Sequence, residues 1–115
     1  MITLDEAVKL VLLSIKDMVG GEIFVQKVPS MNIIDLAEAI HPKLKTKNIG
    51  IRPGEKIHEE LISANDARNT YEYADYFKIL PENTDKKIIK KMIKKGKKVK
   101  EDFQYSSNKN KKWLS

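Results

Sequence analysis

The stretch Ile51-Arg-Pro-Gly-Glu-Lys-Ile-His-Glu-Glu-Leu-Ile-Ser63 decides how this chain is read. Arg52 and Glu55 flank a Pro53-Gly54 turn, and Ile57, Leu61 and Ile62 follow at helical spacing. Pro sets φ at the first corner and Gly accepts the left-handed second corner, so the flanking side chains can face one way. A third helix is predicted over Glu55 to Ile62, with Ile57, Leu61 and Ile62 inward. Its exposed N–H groups and positive dipole end would lie beside the turn. Arg presents a rigid five-donor fork that matches phosphate oxygens and stays protonated. A carboxylate beside it accepts hydrogen bonds from paired hydroxyls, as on a ribose. The pair therefore suits a ligand with a diphosphate at one point and neighbouring hydroxyls at another. Arg-x-x-Glu is also a common string, and an ion pair that decorates a turn fits the same spacing.

Working outward, Thr3-Leu-Asp-Glu6 is a capping box that starts a helix. Leu4, Ala7, Val8, Val11, Leu12, Ile15 and Met18 repeat at 3-4 spacing, and Gly20-Gly21 ends the run. Glu22 to Val28 is a short β-rich run closed by Pro29. Asn32 is a good N-cap for a helix carrying Ile33, Ile34, Leu36, Ala37 and Ile40, which Pro42 halts. Lys47 to Ile51 reads as a second strand, residues 64–70 as loop, and Thr70 to Leu80 as strand or extended chain closed by Pro81. The order is mixed α/β with very short strands. None is long enough to seed a parallel sheet, so the chain reads as a small lobe that packs against something larger.

A chain of 115 residues is one domain at most. It has no cysteine, which excludes a disulfide framework and thiolate chemistry and makes the cytoplasm the default compartment. The apolar run Leu10 to Leu13 is too short to span a bilayer, and the N-terminus lacks the positive segment of a signal peptide. The net charge of +6 is uneven: residues 86–100 hold nine Lys and no acid. Arg52 and Arg68 are the only arginines. Composition changes at Glu82, which divides the chain into a lobe, residues 1–81, and a basic linker helix with a polar tail, residues 82–115. Ile88, Ile89, Met92 and Ile93 stripe that helix, Gly96 ends it, and Phe103, Tyr105, Trp113 and Leu114 are docking points in the tail. With no aromatics among the lysines, a solvated face is a simpler account than a nucleic-acid or membrane surface.

Several ordered motifs carry a family resemblance. They are Ile2-Thr-Leu-Asp-Glu-Ala-Val8, Gly20-Gly-Glu-Ile-Phe-Val25, Pro29-Ser-Met-x-Ile-x-Asp-Leu-Ala37, Gly50-Ile-Arg-Pro-Gly-Glu-Lys-x-His-Glu59 and Asp66-Ala-Arg-Asn-Thr70. Phe103-x-Tyr-Ser-Ser107 and Trp113-Leu-Ser115 extend the match. The chain resembles the C-terminal part of the inverting UDP-N-acetylglucosamine 4,6-dehydratases, which are extended short-chain dehydrogenase/reductases; Gln26 stands where a Pro is expected.

The resemblance implies a small mixed α/β substrate-binding lobe without its Rossmann domain. In such enzymes the Rossmann domain holds NADP and performs the lyase chemistry, while the C-terminal lobe holds the UDP-sugar. By match to the motif, Arg52 would contact the diphosphate and Glu55 the ribose hydroxyls. Expected partners are a UDP-sugar and a Rossmann domain in cis or in trans, with a homo-oligomer for the parent and neither nucleic acid nor membrane. A UDP-sugar 4-epimerase portion or a non-catalytic docking or basic module are the alternatives.

No Gly-x-Gly-x-x-Gly is present, so no dinucleotide fingerprint and no cofactor site are expected in this chain. Tyr105-Ser-Ser-Asn-Lys109 spells the superfamily's Tyr-x-x-x-Lys but lies among poor helix formers, so it is not read as the catalytic pair. No metal set surrounds His41 or His58. The chain therefore reads as a fragment, a split gene product or a remnant, inactive alone. Isolated, it is expected to expose the faces that would cover the Rossmann domain.

Overall fold

The computed structural model describes residues 2–111; the tail positions Trp113 and Leu114 lie outside the described residues. Helix α1 (Leu4–Asp17) starts at the expected capping box. The Glu6 amide donates to Thr3 Oγ1 at 3.2 Å, and the Thr3 amide donates to Glu6 Oε2 at 2.9 Å. Strand β1 (Ile23–Gln26) and helix α2 (Ile33–Ile40) follow as predicted. Asn32 Oδ1 accepts the Ile34 amide at 2.9 Å. Neither α1 nor α2 contains a buried residue.

The next segment departs from expectation. Residues 41–59 form neither helix nor strand, so the strand predicted at Lys47 to Ile51 is absent. Asn48 Oδ1 accepts the Gly50 amide at 2.9 Å, a local bond that competes with strand pairing. The helix predicted from Glu55 is also absent. Its last residues form strand β2 (Glu60–Ile62), which pairs antiparallel with strand β6 (Tyr105–Ser106). Ile62 alone of the three expected inward residues is buried; Ile57 and Leu61 are exposed. Long-range pairing with β6 and insertion of Ile62 into the core override the local helical spacing.

Ser63 caps a short helix α3 (Ala64–Ala67) where a loop is expected, its Oγ donating to Asp66 Oδ2 at 2.7 Å. The aromatic run then splits into strands β3 (Thr70–Glu72) and β4 (Tyr76–Ile79). Helix α4 (Lys86–Ile93) and strand β5 (Lys97–Lys98) complete the order. The main sheet runs β1-β4-β3-β5, antiparallel throughout. Ile62, Phe77, Ile79 and Tyr105 form the core, with Val25, Val99 and Phe103 against it. Packing therefore crosses the line between residues 81 and 82: β5 extends the sheet and Tyr105 enters the core. The molecule is elongated, 57 × 29 × 23 Å, with a Cα radius of gyration of 17.2 Å. A compact domain of this length has about 13 Å, so the exposed helices and the 41–59 excursion stand off the core.

One polar node is buried against the sheet. Lys78 is 0% exposed, and its ammonium donates to Asp17 Oδ2 and to the Met92 carbonyl, each at 2.7 Å. The rings of Phe24 and Tyr73 cover it at 5.2 and 5.1 Å. Lys94 also bonds Asp17. Burial raises the Asp17 pKa, but hydrogen bonds and charge from Lys78 and Lys94 outweigh that and hold it below its ordinary value. The node joins the end of α1, the middle of β4 and the end of α4. Burial, then the neighbouring Tyr76 and Asp17, pushes the Tyr73 phenol up to about 12.

Candidate functional site

The Arg52–Glu55 turn closes through its own backbone, the Glu55 amide donating to the Arg52 carbonyl at 3.0 Å. Gly54 takes φ +82°, the value a type II turn requires at that corner. The side chains meet as expected: Arg52 Nε donates to Glu55 Oε1 at 2.8 Å, and the Arg52 amide donates to Glu55 Oε2 at 2.9 Å. Both residues face solvent, the Arg52 side chain 74% exposed. No helix begins here, so the anticipated dipole end and N–H array do not support an anion at the turn. What remains is the pair itself. Glu55 engages the guanidinium at Nε, leaving the terminal N–H groups as an outward fork. Each Glu55 oxygen accepts one bond and retains a second lone pair for a hydroxyl donor.

A cleft of about 620 Å³ is lined in part by Ile57, His58 and Glu59, which follow the turn in sequence. Three segments line it: the loop after β1 and the start of α2, with Pro29, Met31 and Ile33; the stretch with Ile57, His58 and Leu61; and the tail from Tyr105 to Asn110. Ile57 and His58 follow Glu55 by two and three residues, so Glu55 lies within about 10 Å of them along the chain, although neither Arg52 nor Glu55 lines the cleft. The lining is mostly apolar, with a few convergent polar groups, the ordinary character of a small-molecule site.

The tail organises this cleft, which the sequence reading did not anticipate. Tyr105 packs on Phe77 with ring centroids 5.1 Å apart. Its hydroxyl accepts the Val28 amide at 2.9 Å and donates to the Val28 carbonyl at 3.2 Å. Ser30 Oγ donates to the Ser107 carbonyl at 2.9 Å, and Asn110 Nδ2 donates to Ser30 Oγ at 3.1 Å. His58 Nδ1 pairs with Ser107 Oγ at 2.9 Å. A strand pairing of Tyr105 also separates the Tyr-x-x-x-Lys string: the phenol sits on Val28, while Lys109 bonds Gln104. Among the described residues no three His, Asp or Glu gather as a metal set. No helix there is long and apolar enough to cross a membrane.

The family profile for polysaccharide biosynthesis proteins matches residues 1–81. This chain belongs to that family. It is 46% identical, over 99% of its length, to the UDP-N-acetylglucosamine 4,6-dehydratase (inverting) of Campylobacter jejuni, covering 36% of that protein. The similarity is to the dehydratase's C-terminal part, as the motifs around Arg52 implied. A UDP-glucose 4-epimerase of Rickettsia canadensis is 35% identical over 86% of the chain and is covered over 30%. In three dimensions the X-ray structure of Pen from Bacillus thuringiensis matches with a TM-score of 0.76 and 30% identity, over 100% of this chain and 34% of that one. The chain thus spans about a third of the length of the curated relatives it matches.

Proposed function

We propose that this chain is the UDP-sugar-binding portion of a nucleotide-sugar 4,6-dehydratase of surface polysaccharide or glycan biosynthesis, inactive alone. The observation that carries the reading is the Arg52–Glu55 turn: an outward guanidinium fork beside a carboxylate with lone pairs to spare. In this reading Arg52 takes the diphosphate and Glu55 the ribose hydroxyls. Dehydratase is favoured over epimerase by the greater identity and coverage with the Campylobacter enzyme.

The parent reaction uses NADP, and this chain does not fit it. A dinucleotide cradle needs a parallel strand, a Gly-rich turn and a helix start, whereas every strand pair among the described residues is antiparallel. We therefore derive no redox step here and assign the dinucleotide to a Rossmann domain in cis or in trans. Two features support such a partner. The α1 residues Leu4, Val8, Val11 and Ile15 form an exposed apolar stripe, and β1 is an edge strand of the main sheet, open to a further strand.

The test is a UDP titration of the protein by ¹H–¹⁵N NMR, with Arg52→Ala and Glu55→Gln beside it. Shifts should cluster on residues 50–58, and Arg52→Ala should weaken binding about tenfold to a hundredfold, as for loss of a charged hydrogen bond. A dispersed spectrum in which UDP moves nothing at the turn would reduce Arg52–Glu55 to a structural ion pair.

A further inference from the structure

The 41–59 excursion carries the proposed ligand contacts yet contains no regular element. Its return end is anchored where β2 meets β6, and the Ser107 amide adds a bond to the Glu59 carbonyl at 3.1 Å. The same tail residues hold the loop after β1. Tyr105 brackets Val28 through both its amide and its carbonyl, Asn110 reaches Val28 and Ser30, and Ser30 returns a bond to Ser107. His58 closes the circuit on Ser107 Oγ. Two loops distant in sequence are thus spaced by one short segment. Ser30 is buried within it.

We propose that residues 105–110 are a clasp, with Tyr105, Ser107 and Asn110 as positioning residues that hold residues 58–60 against the 28–31 loop and so limit where the 52–55 turn of the nucleotide site can lie. This rests on reading the turn as the ligand contact. The clasp is bonded to both flanking segments, Val28 and Ser30 on one side and His58 and Glu59 on the other. It acts by shortening the range of positions open to the turn, which lowers the ordering that binding must impose.

The experiment compares the full chain with Tyr105→Phe, Ser107→Ala and, as a control, Gly96→Ala. Tyr105→Phe keeps the ring on Phe77 and deletes the bonds to Val28. Ser107→Ala deletes the His58 contact and keeps both backbone bonds. Gly96→Ala destabilises a remote point, because a Cβ there would meet the Tyr73 ring at 2.5 Å. With UDP as the probe, Tyr105→Phe should raise Kd about fivefold to tenfold and Ser107→Ala about twofold to fivefold, as for one or two hydrogen bonds. Gly96→Ala should leave Kd unchanged. Without UDP, the two clasp variants should shift the amides of residues 52–58, and Gly96→Ala should not. Unshifted amides in both clasp variants, or equal Kd losses in all three proteins, would overturn the clasp. If the unaltered chain binds no UDP, the ligand reading fails, and the ligand-free shifts still decide whether the clasp positions the turn.

Discussion

Phe77 and Ile15 are both large apolar residues in regular structure, yet Phe77 is 4% exposed and Ile15 is 60% exposed. The sheet end of the molecule collects its apolar side chains from β2, β4 and the tail into one cluster. The helical end presents α1 and α2 to solvent. Both helices have the amphipathic spacing that normally signals a core-facing element. Ala7 and Leu10 of α1 and Leu36 and Ala37 of α2 are half-buried, but most of the apolar residues of both helices stay exposed, so amphipathic spacing alone does not say how far a helix is buried. The difference separates apolar side chains that pack within the chain from apolar side chains that stay in water.

The comparison can be broken at either end. Phe77→Ala should cost about 3–5 kcal/mol in urea unfolding, the range for truncating a buried aromatic. A loss below about 1 kcal/mol would mean the sheet cluster does not carry the fold. Asp17→Asn should cost about 3 kcal/mol, since it leaves the Lys78 ammonium buried without its counter-charge. The same residue sets a pH dependence. Asp17 has a folded pKa below its unfolded value, so its contribution is present above that unfolded value and disappears as pH falls through the folded one. Glu22 acts in the same direction: burial raises its pKa, but the amides of Val19 and Gly20 hold it low. Stability should therefore decline between about pH 5 and pH 2, and Asp17→Asn should flatten that decline in part. A slope identical in the variant would remove Asp17 from the account.

Gly96→Ala sharpens the comparison at the junction of α4 and the sheet. The Tyr73 ring must yield, at about 1–3 kcal/mol by thermal melting. Ile15→Ala should change stability least, within about 0.5 kcal/mol in the isolated chain, because that side chain is already in water. A cost near that of Phe77→Ala would show that α1 is covered in solution by another copy.

Much of the helical end was legible because its signals are local. Thr3 and Glu6 are three residues apart, and so are Arg52 and Glu55; the bonds that define each unit lie within it. Asn32 caps α2 by the same short reach. The strand at residues 60–62 was not legible for a long-range reason. Glu60 to Ile62 has helical spacing, yet its strand partner is Tyr105, which no window around residue 60 contains. The burial of Lys78 likewise depends on Asp17 and the Met92 carbonyl, which the fold brings to it. Of the candidate site, the paired turn was readable, whereas the cleft and its clasp were not.

By itself the sequence determined the capped helices, the Pro53-Gly54 turn with its flanking charges, and the family to which the chain belongs. Each rests on bonds or motifs a few residues long. Only the tertiary structure decided that β2 is a strand, that Lys78 is buried and that the tail spaces the two loops of the cleft. Those outcomes depend on partners far apart in the chain, whose joint gain in buried apolar area and satisfied polar groups outweighs local preference.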